Sequence, residues 1–512
     1  MKFYKLCFLL GLLVLVAADQ GHDEQVIEKL KSLKQGAVTV IPLEKMKVVG
    51  WELPPGYEGE RKHQGSAIEV QRIYKLETRL SAQYVVQTND GKFHVGWSDG
   101  TNELSLDREA SGTIDEFVKK LDYPPLPEAP KGWRVREVVR FPNNPTRIAS
   151  DGSGRFLYIL YQNGTIARVE PASGEMKNVI TASDYATGEN VSALGLCLDR
   201  DKRMYIVVNQ MDGNVNPNMN RVTIYRTTST REGDPAEPKA WFKTEYPYGV
   251  DVFNHGVSCI AQGPDGMMYV SSGSRTDHGE AGKEPTRAKI GEPENTACIW
   301  RLDPKMDNPK LEIFAKGIRN AWGFCWDEQG RMFATENGPN AFPPEELNLI
   351  EQGKHYGFPH VFSDLDHKAY PDQPDAPAGV KFVQPVINKG PDGGVSTTQP
   401  TCSTFSPHSS PAGIVALGKE FPERDRGSML IPRFGQLLPV PEVGFDVLQV
   451  RITGEERGRP VAQVRTFLKK VPRPLDIHIS GGKVYLCEHT RQASGDSGSW
   501  LPGGLLELSP EP

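Results

Sequence analysis

The sequence predicts an all-β protein, a six-bladed β-propeller preceded by a small α+β module. Three observations lead there. A strand–turn–strand unit recurs six times over the last three quarters of the chain. The recurrences are separated by 48 to 91 residues, the spacing of propeller blades with insertions between them. Before the first of them the pattern is different, and a proline-rich stretch separates the two regions.

The chain opens on Lys2 and Lys5, an apolar run from Leu6 to Val16, and the small residues Val16-Ala17-Ala18. A basic start, a short apolar core and small residues before a cleavage point describe a signal peptide over 1–18. The run is shorter than the ~20 residues of a spanning helix. The expectation is an exported chain, periplasmic or extracellular, with no membrane span after signal cleavage. Residues 19–130 read as the small α+β pre-domain and its linker. Gln25 to Leu33 predicts a short helix, and Ile68–Leu76 and Ser81–Trp97 predict strands, the second broken by the turn Asn89-Asp90-Gly91. Thr113 and Glu116 have the spacing of a capping box, predicting a helix from Thr113 to Leu121. The run Tyr123-Pro124-Pro125-Leu126-Pro127-Glu128-Ala129-Pro130 then forms a stiff linker.

Residues 131–512 form the propeller. Its hairpins span 145–160, 193–208, 257–272, 321–336, 412–433 and 474–489, each an apolar strand, a turn and a second strand. The fifth fits least well, because its turn is long and its second strand lacks an aromatic residue. Each hairpin is expected to supply the inner strands of a four-stranded antiparallel blade. The insertions at 210–250, 274–300 and 360–410 would build one face. A β-sandwich predicts no such recurrence.

Composition excludes some classes. With 59 basic and 65 acidic residues and a net charge of −6, the chain carries no polyanion-binding bias. Basic runs and zinc spacings are absent from the sequence, so nucleic acid is not an expected partner. Six cysteines follow the leader: Cys197, Cys259, Cys298, Cys325, Cys402 and Cys487. An even count in an exported chain permits disulfides. Four of the six sit inside apolar strand-like runs, which favours buried free thiols.

The window 317–359 carries the chemistry. It contains Gly317-Ile318-Arg319-Asn320, then Glu336-Asn337-Gly338-Pro339, then Glu345-Glu346-Leu347-Asn348, then Tyr356-Gly357-Phe358-Pro359. Earlier, Asn254-His255-Gly256 precedes Gly263-Pro264-Asp265-Gly266-Met267-Met268-Tyr269, and later come His408-Ser409-Ser410-Pro411-Ala412-Gly413, Phe421-Pro422 and Arg426-Gly427. In this order the motifs resemble the glucose/sorbosone dehydrogenase family, soluble quinoproteins on a six-bladed propeller. The resemblance covers about 132–512 and leaves the pre-domain out.

The resemblance implies a dehydrogenase that oxidises an aldose or related polyol through Ca2+-bound pyrroloquinoline quinone (PQQ) and passes electrons to an external electron acceptor. It implies His255 as general base, a role that suits neutral imidazole. Arg319 would polarise the cofactor, and Arg319, Asn320, Asn337 and Arg433 would bind it. Gly338 and Pro339 would bind calcium through backbone carbonyls, as calcium takes oxygen ligands. Read without the resemblance, His255 is a strand-end histidine, Gly338-Pro339 a turn and Arg433 a surface cation. Glu345, Glu346 and Asn348 would hold a structural calcium or pin the loop. The sequence departs from the family pattern at Ser274, where relatives place an Asp that orients the histidine; Asp277 stands near enough to take over. That departure keeps a second reading open, a non-catalytic propeller of the same fold that binds a macromolecular partner. A lactonase, also six-bladed, would need a carboxylate-rich calcium motif that the sequence lacks.

Overall fold

In the computed structural model each of the six hairpins forms the first two strands of its own sheet. The structure describes residues 22–31, 37–50, 69–77, 82–97, 103–106, 113–116, 126–186, 191–229, 234–235, 237–250, 254–394, 404–437, 442–490 and 502–511. The leader expected over 1–18 and Cys402 lie outside them. Two compact units divide the chain between Pro124 and Pro125.

In the first unit a helix spans 22–31 and buries Val26 and Leu30, which are one turn apart on a single face. Acidic Asp23 and Glu24 stand in its first turn, where the helix dipole favours them. Six strands form one sheet, with Ala37–Ile41 and Lys47–Gly50 at its two edges. Ala82–Thr88 and Phe93–Trp97 pair as a hairpin around the Asn89-Asp90-Gly91 turn, and Val48, Ile73, Val86 and Leu104 pack together as the core. The capping box forms in both directions: Glu116 N–H donates to Thr113 Oγ1 (3.3 Å) and Thr113 N–H to Glu116 Oε2 (2.9 Å). Only 114–116 of the helix expected up to Leu121 falls among the described residues.

The second unit is a ring of six sheets among the described residues. Blade 1 comprises Pro145–Ser150, Leu157–Tyr161, Ile166–Glu170 and Glu175–Ile180. Blade 2 comprises Val191–Leu198, Arg203–Asp212, Met219–Ser229 and Lys239–Pro247. Blade 3 comprises Val257–Gln262, Met268–Ser272, Cys298–Leu302 and Glu312–Lys316. In blade 4, Ala321–Trp326, Met332–Glu336 and Glu346–Ile350 make a three-stranded sheet. Blade 5 runs Val415–Ala416, Ser428–Arg433, Asp446–Glu456 and Arg459–Leu468, with Ile387–Pro391 added in parallel on the outer edge. Blade 6 is Pro474–Ser480, Lys483–Glu488 and Gly504–Pro510, completed by Trp133–Arg140. The first strand of the unit therefore pairs antiparallel with the last and fastens the ring.

Blades 4 and 5 depart from the uniform four-stranded expectation. The chain leaving Ile350 enters a long turn-rich insertion and returns as the outer strand of the next blade. That insertion also explains the 91-residue spacing there.

Each sheet is covered on both faces by its neighbours. Strands such as Leu157–Tyr161 and Met268–Ser272 are buried at every position, and the first reads as a continuous apolar run rather than an alternating one. The core consists of layers between blades. Tyr269 and Ile299 of blade 3 meet Phe324, Met332 and Ile350 of blade 4, and Phe333 and Leu347 of blade 4 meet Ile431, Leu448 and Val464 of blade 5. Full burial of a side chain such as Phe333 contributes roughly 1.5–3 kcal/mol relative to its exposure.

The ring axis is tied by Arg147, on the inner strand of blade 1. Its Nε donates to the Leu194 carbonyl (2.9 Å), and its Nη2 to those of Ser258 (2.9 Å) and Trp322 (2.7 Å). Nη1 faces Asp476 Oδ1 of blade 6 at 3.4 Å. One buried guanidinium thus joins inner strands of five blades.

The described thiols are free: Cys197, Cys259, Cys298, Cys325 and Cys487 make no disulfide, and all but the partly exposed Cys325 are buried.

Candidate active site

All six inner strands start at the same end of the ring and their hairpin partners finish there. The residues just before an inner strand and just after its partner therefore gather on one face. His255-Gly256 lead into Val257, Arg319-Asn320 lead into Ala321, Gly273-Ser274 follow Ser272 and Asn337-Gly338-Pro339 follow Glu336. Gly273 permits the convergence: a Cβ there would lie 2.6 Å from His255 Cβ and 3.3 Å from Asn320 Oδ1.

His255 is fixed by Ser274. Its Nδ1 lies 3.1 Å from the Ser274 carbonyl and 3.1 Å from Ser274 Oγ. The Ser274 hydroxyl donates its hydrogen to the Thr276 carbonyl at 2.7 Å. Both atoms facing Nδ1 are thus acceptors, which places the proton on Nδ1 and leaves the lone pair on Nε2. Burial, reinforced by the Arg319 charge, pushes the imidazole down to about 3, with the Ser274 carbonyl opposing. His255 is therefore neutral at ordinary pH and able to accept a proton.

Asp277 does not orient the histidine, contrary to the sequence expectation. It belongs to Arg319, accepting from Nη2 at 2.7 Å through Oδ1 and from Nε at 2.9 Å through its carbonyl. It also accepts from Tyr370 Oη (2.6 Å) and the Asn340 N–H (3.1 Å). Burial raises the Asp277 carboxyl, but the His278 contact, the Arg319 charge and the Tyr370 and Asn340 donors together hold it well below the usual carboxylate range. Arg319 Nη1 donates to the Asn337 carbonyl at 3.2 Å, and the Arg319 carbonyl accepts from Ser274 N–H at 2.7 Å. The guanidinium is thus rigid, buried and part of one unit with the histidine support.

Asn320 and Asn337 stand beside it. The Asn320 carbonyl accepts from Asn337 N–H (3.1 Å), while Asn337 Nδ2 donates to Pro411 of the blade 5 loop (3.1 Å). Asn320 Oδ1 is buried and has no hydrogen-bond partner among the described residues. An orphaned buried acceptor is costly and marks a place for a donor from elsewhere. The carbonyls of Gly338 and Pro339 likewise accept no hydrogen bond among the described residues. Oxygen donors left unengaged on one loop fit a calcium ion, the neighbouring fixed cation fits an anionic polar cofactor, and the orphaned Asn320 oxygen fits a hydrogen-bond donor on that ligand.

Like Arg319, which is paired with Asp277, the remaining candidates are engaged within the protein. Arg433 is buried and forms a bidentate pair with Asp446, at 2.8 Å from Nε and 2.6 Å from Nη2. Its charge is matched within the protein rather than presented at the surface. Glu345 Oε2 accepts from Ser409 Oγ (3.1 Å) and Ser410 N–H (2.5 Å), which pins the loop before blade 5. Glu336 and Glu346 share Asn348 Nδ2, at 2.8 and 2.9 Å. Burial pushes Glu345 up to about 8 and Glu346 up to about 7, and Glu336 upward as well. Among the described residues no group of three His, Cys, Asp or Glu side chains is placed to hold a metal; Glu345 holds the Ser410 N–H and Glu346 the Ser363 N–H (2.6 Å). No described helix is long and apolar enough to cross a membrane.

Sequence reasoning missed Tyr370, which lies in an insertion with no readable pattern. It also missed Arg147, although a charged residue inside the apolar strand PTRIAS was a legible signal for a buried partner.

Comparison with known proteins agrees with this fold. Residues 142–408 match the family model described as Glucose / Sorbosone dehydrogenase. Quinoprotein glucose dehydrogenase B of Acinetobacter calcoaceticus is 26% identical over 257 residues, covering 44% of this chain and 52% of that protein. The alignment thus spans about half the length of that relative. Among solved structures, the PQQ-bound form of the aldose sugar dehydrogenase from Streptomyces coelicolor superposes with a TM-score of 0.51 at 22% identity, over 75% of this chain and 99% of that one. The calcium structure of the family AA12 enzyme from Trichoderma reesei gives 0.53 at 16% identity, over 76% and 98%. The apo form of the soluble aldose sugar dehydrogenase from Escherichia coli gives 0.52 at 13%, over 74% and 99%. These likenesses show the shared propeller, and the matched span, more than half of the chain, shows that it belongs to the glucose/sorbosone dehydrogenase family.

Proposed function

We propose that the propeller unit is an oxidoreductase that takes two electrons and two protons, as a hydride and a hydroxyl proton, from an aldose or related polyol, with calcium-held PQQ as cofactor and an external electron acceptor. The observation that carries this reading is His255, whose tautomer is set by Ser274 so that Nε2 is the basic nitrogen, beside a fixed guanidinium. When bound, the quinone supplies the electrophilic two-electron acceptor. The protein supplies the rest. His255 Nε2 takes the proton of the substrate hydroxyl. Arg319 and Asn320 would hold the cofactor, with Arg319 placing positive charge where negative charge develops. Asn337 fixes the loop that bears Gly338 and Pro339, whose carbonyls would bind calcium. The basic start and short apolar run of the sequence support export to a periplasmic or extracellular space.

The pairing of Arg433 with Asp446 and the absence of a carboxylate on His255 favour the second reading, a propeller that binds a partner without chemistry. One experiment separates the two. The chain is reconstituted with PQQ and calcium chloride and assayed on an aldose panel with an artificial electron acceptor. Turnover that falls about 10²–10⁴-fold in His255→Gln supports the dehydrogenase. Quinone-independent silence on every sugar supports the binding protein.

A further inference from the structure

Phe342 is unlike the other apolar side chains of the propeller. It is 69% exposed, more than any other large hydrophobic residue described. A single exposed phenylalanine is ordinary; one on the loop of the candidate calcium-binding carbonyls, with its flanking backbone held, is not. It stands three residues beyond Pro339 on the same loop. The Asn340 N–H is held by Asp277 Oδ1 (3.1 Å) and the Ala341 N–H by Tyr370 Oη (2.6 Å). Pro343 and Pro344 follow and lock the backbone on the other side. The ring meets His408 edge to face, with centroids 4.9 Å apart at 84°. The segment that carries His408 is tied to the same loop, because Asn337 Nδ2 donates to the Pro411 carbonyl at 3.1 Å. The carboxylate that fixes Arg319 thus also fixes the loop that carries Phe342.

We propose that Phe342 is the platform on which the pyranose ring of the substrate lies, and so determines specificity at this site. This rests on the dehydrogenase reading above. A pyranose presents a face of C–H groups, and an aromatic ring already immobilised in water binds such a face without further loss of side-chain entropy. Its hydroxyls remain free for polar partners and for His255. His408 backs the ring and is a positioning residue.

The test uses the full mature chain loaded with PQQ and calcium. Phe342→Ala and Phe342→Trp are compared with the wild type on glucose, galactose and xylose, and the inhibition constant is measured for 1,5-anhydroglucitol, a pyranose with no anomeric hydroxyl. The expected result is a rise of about tenfold in KM and in that inhibition constant for Phe342→Ala, which corresponds to roughly 1.4 kcal/mol. kcat stays within twofold, quinone affinity is unchanged, and Phe342→Trp restores both constants. An active wild type with Phe342→Ala unchanged within twofold overturns the platform and leaves the dehydrogenase standing. A fall in kcat with KM unchanged overturns it too. A wild type that binds no quinone or oxidises none of the sugars overturns both.

Discussion

Replacing Ser274 by Asp tests how the base is tuned. Ser274 Oγ lies 3.1 Å from His255 Nδ1 and is fully buried. A carboxylate in its place would sit about 4 Å from the imidazolium charge, worth roughly 4 kcal/mol at an effective dielectric of about 20. That is about three pKa units at ~1.4 kcal/mol each. Part is lost, because the carboxylate is desolvated and faces the Thr276 carbonyl that Ser274 now satisfies. A net rise of about two units, at ~1.4 kcal/mol each, takes His255 from about 3 to about 5. The assay is kcat/KM of the reconstituted enzyme between about pH 4.5 and 9, with near-ultraviolet circular dichroism to verify folding. The wild type shows no acid limb from His255 in that range, because the imidazole stays neutral throughout. The variant shows one near pH 5, where the protonated base is inactive. Superimposable profiles for two folded proteins would refute the assignment of His255 as the base tuned by Ser274.

Two further outcomes concern stability. Arg147→Met removes the donors to the Leu194, Ser258 and Trp322 carbonyls and strands Asp476 in the axis. With about 1–3 kcal/mol for each orphaned carbonyl and about 3–5 kcal/mol for the broken ion pair, the urea midpoint should collapse; a loss under about 2 kcal/mol would show that the axis is not held this way. The pH profile of stability should fall on both sides. Burial keeps His255 at about 3 and His355 and His478 at about 4, below the ordinary 6.5, so the unfolded chain binds more protons in that window. This stability is complete above 6.5 and lost as pH falls toward 3–4. Glu345 and Glu346 are raised from 4.5 to about 8 and about 7, so their contribution is complete below 4.5 and lost as pH rises through 7 and 8. Thermal midpoints should therefore be highest between about pH 4.5 and 6.5, and Glu345→Gln should flatten the alkaline fall. An alkaline limb unchanged in Glu345→Gln would remove that carboxyl from the explanation.

The hairpins were legible because blade strands are buried on both faces and so spell out apolar runs, as in LYILY. Their turns are marked by Asp and Gly, as at Asp327-Glu328-Gln329-Gly330, where Gly330 takes φ 75°. What the sequence did not show was which polar residue meets which. Ser274 and Asp277 are three residues apart, yet one supports His255 and the other Arg319, because the chain turns between them. Arg433 reads as a cation at a strand end, and only the fold reveals that Asp446 pairs with it from the neighbouring strand. The outer strand of blade 5 was illegible because Ile387–Pro391, with its Gly and Pro, has no strand composition and is recruited by Arg459–Leu468.

The measurement that bears most directly on the site is calorimetric titration of the mature chain with PQQ, with and without calcium, beside Arg319→Ala. Stoichiometric binding that requires calcium and is lost in the variant is the expected result, with the folded state of the variant verified by its thermal midpoint. No binding under either condition, or binding indifferent to both calcium and Arg319, would contradict the cofactor site assembled around His255, Arg319, Gly338 and Pro339.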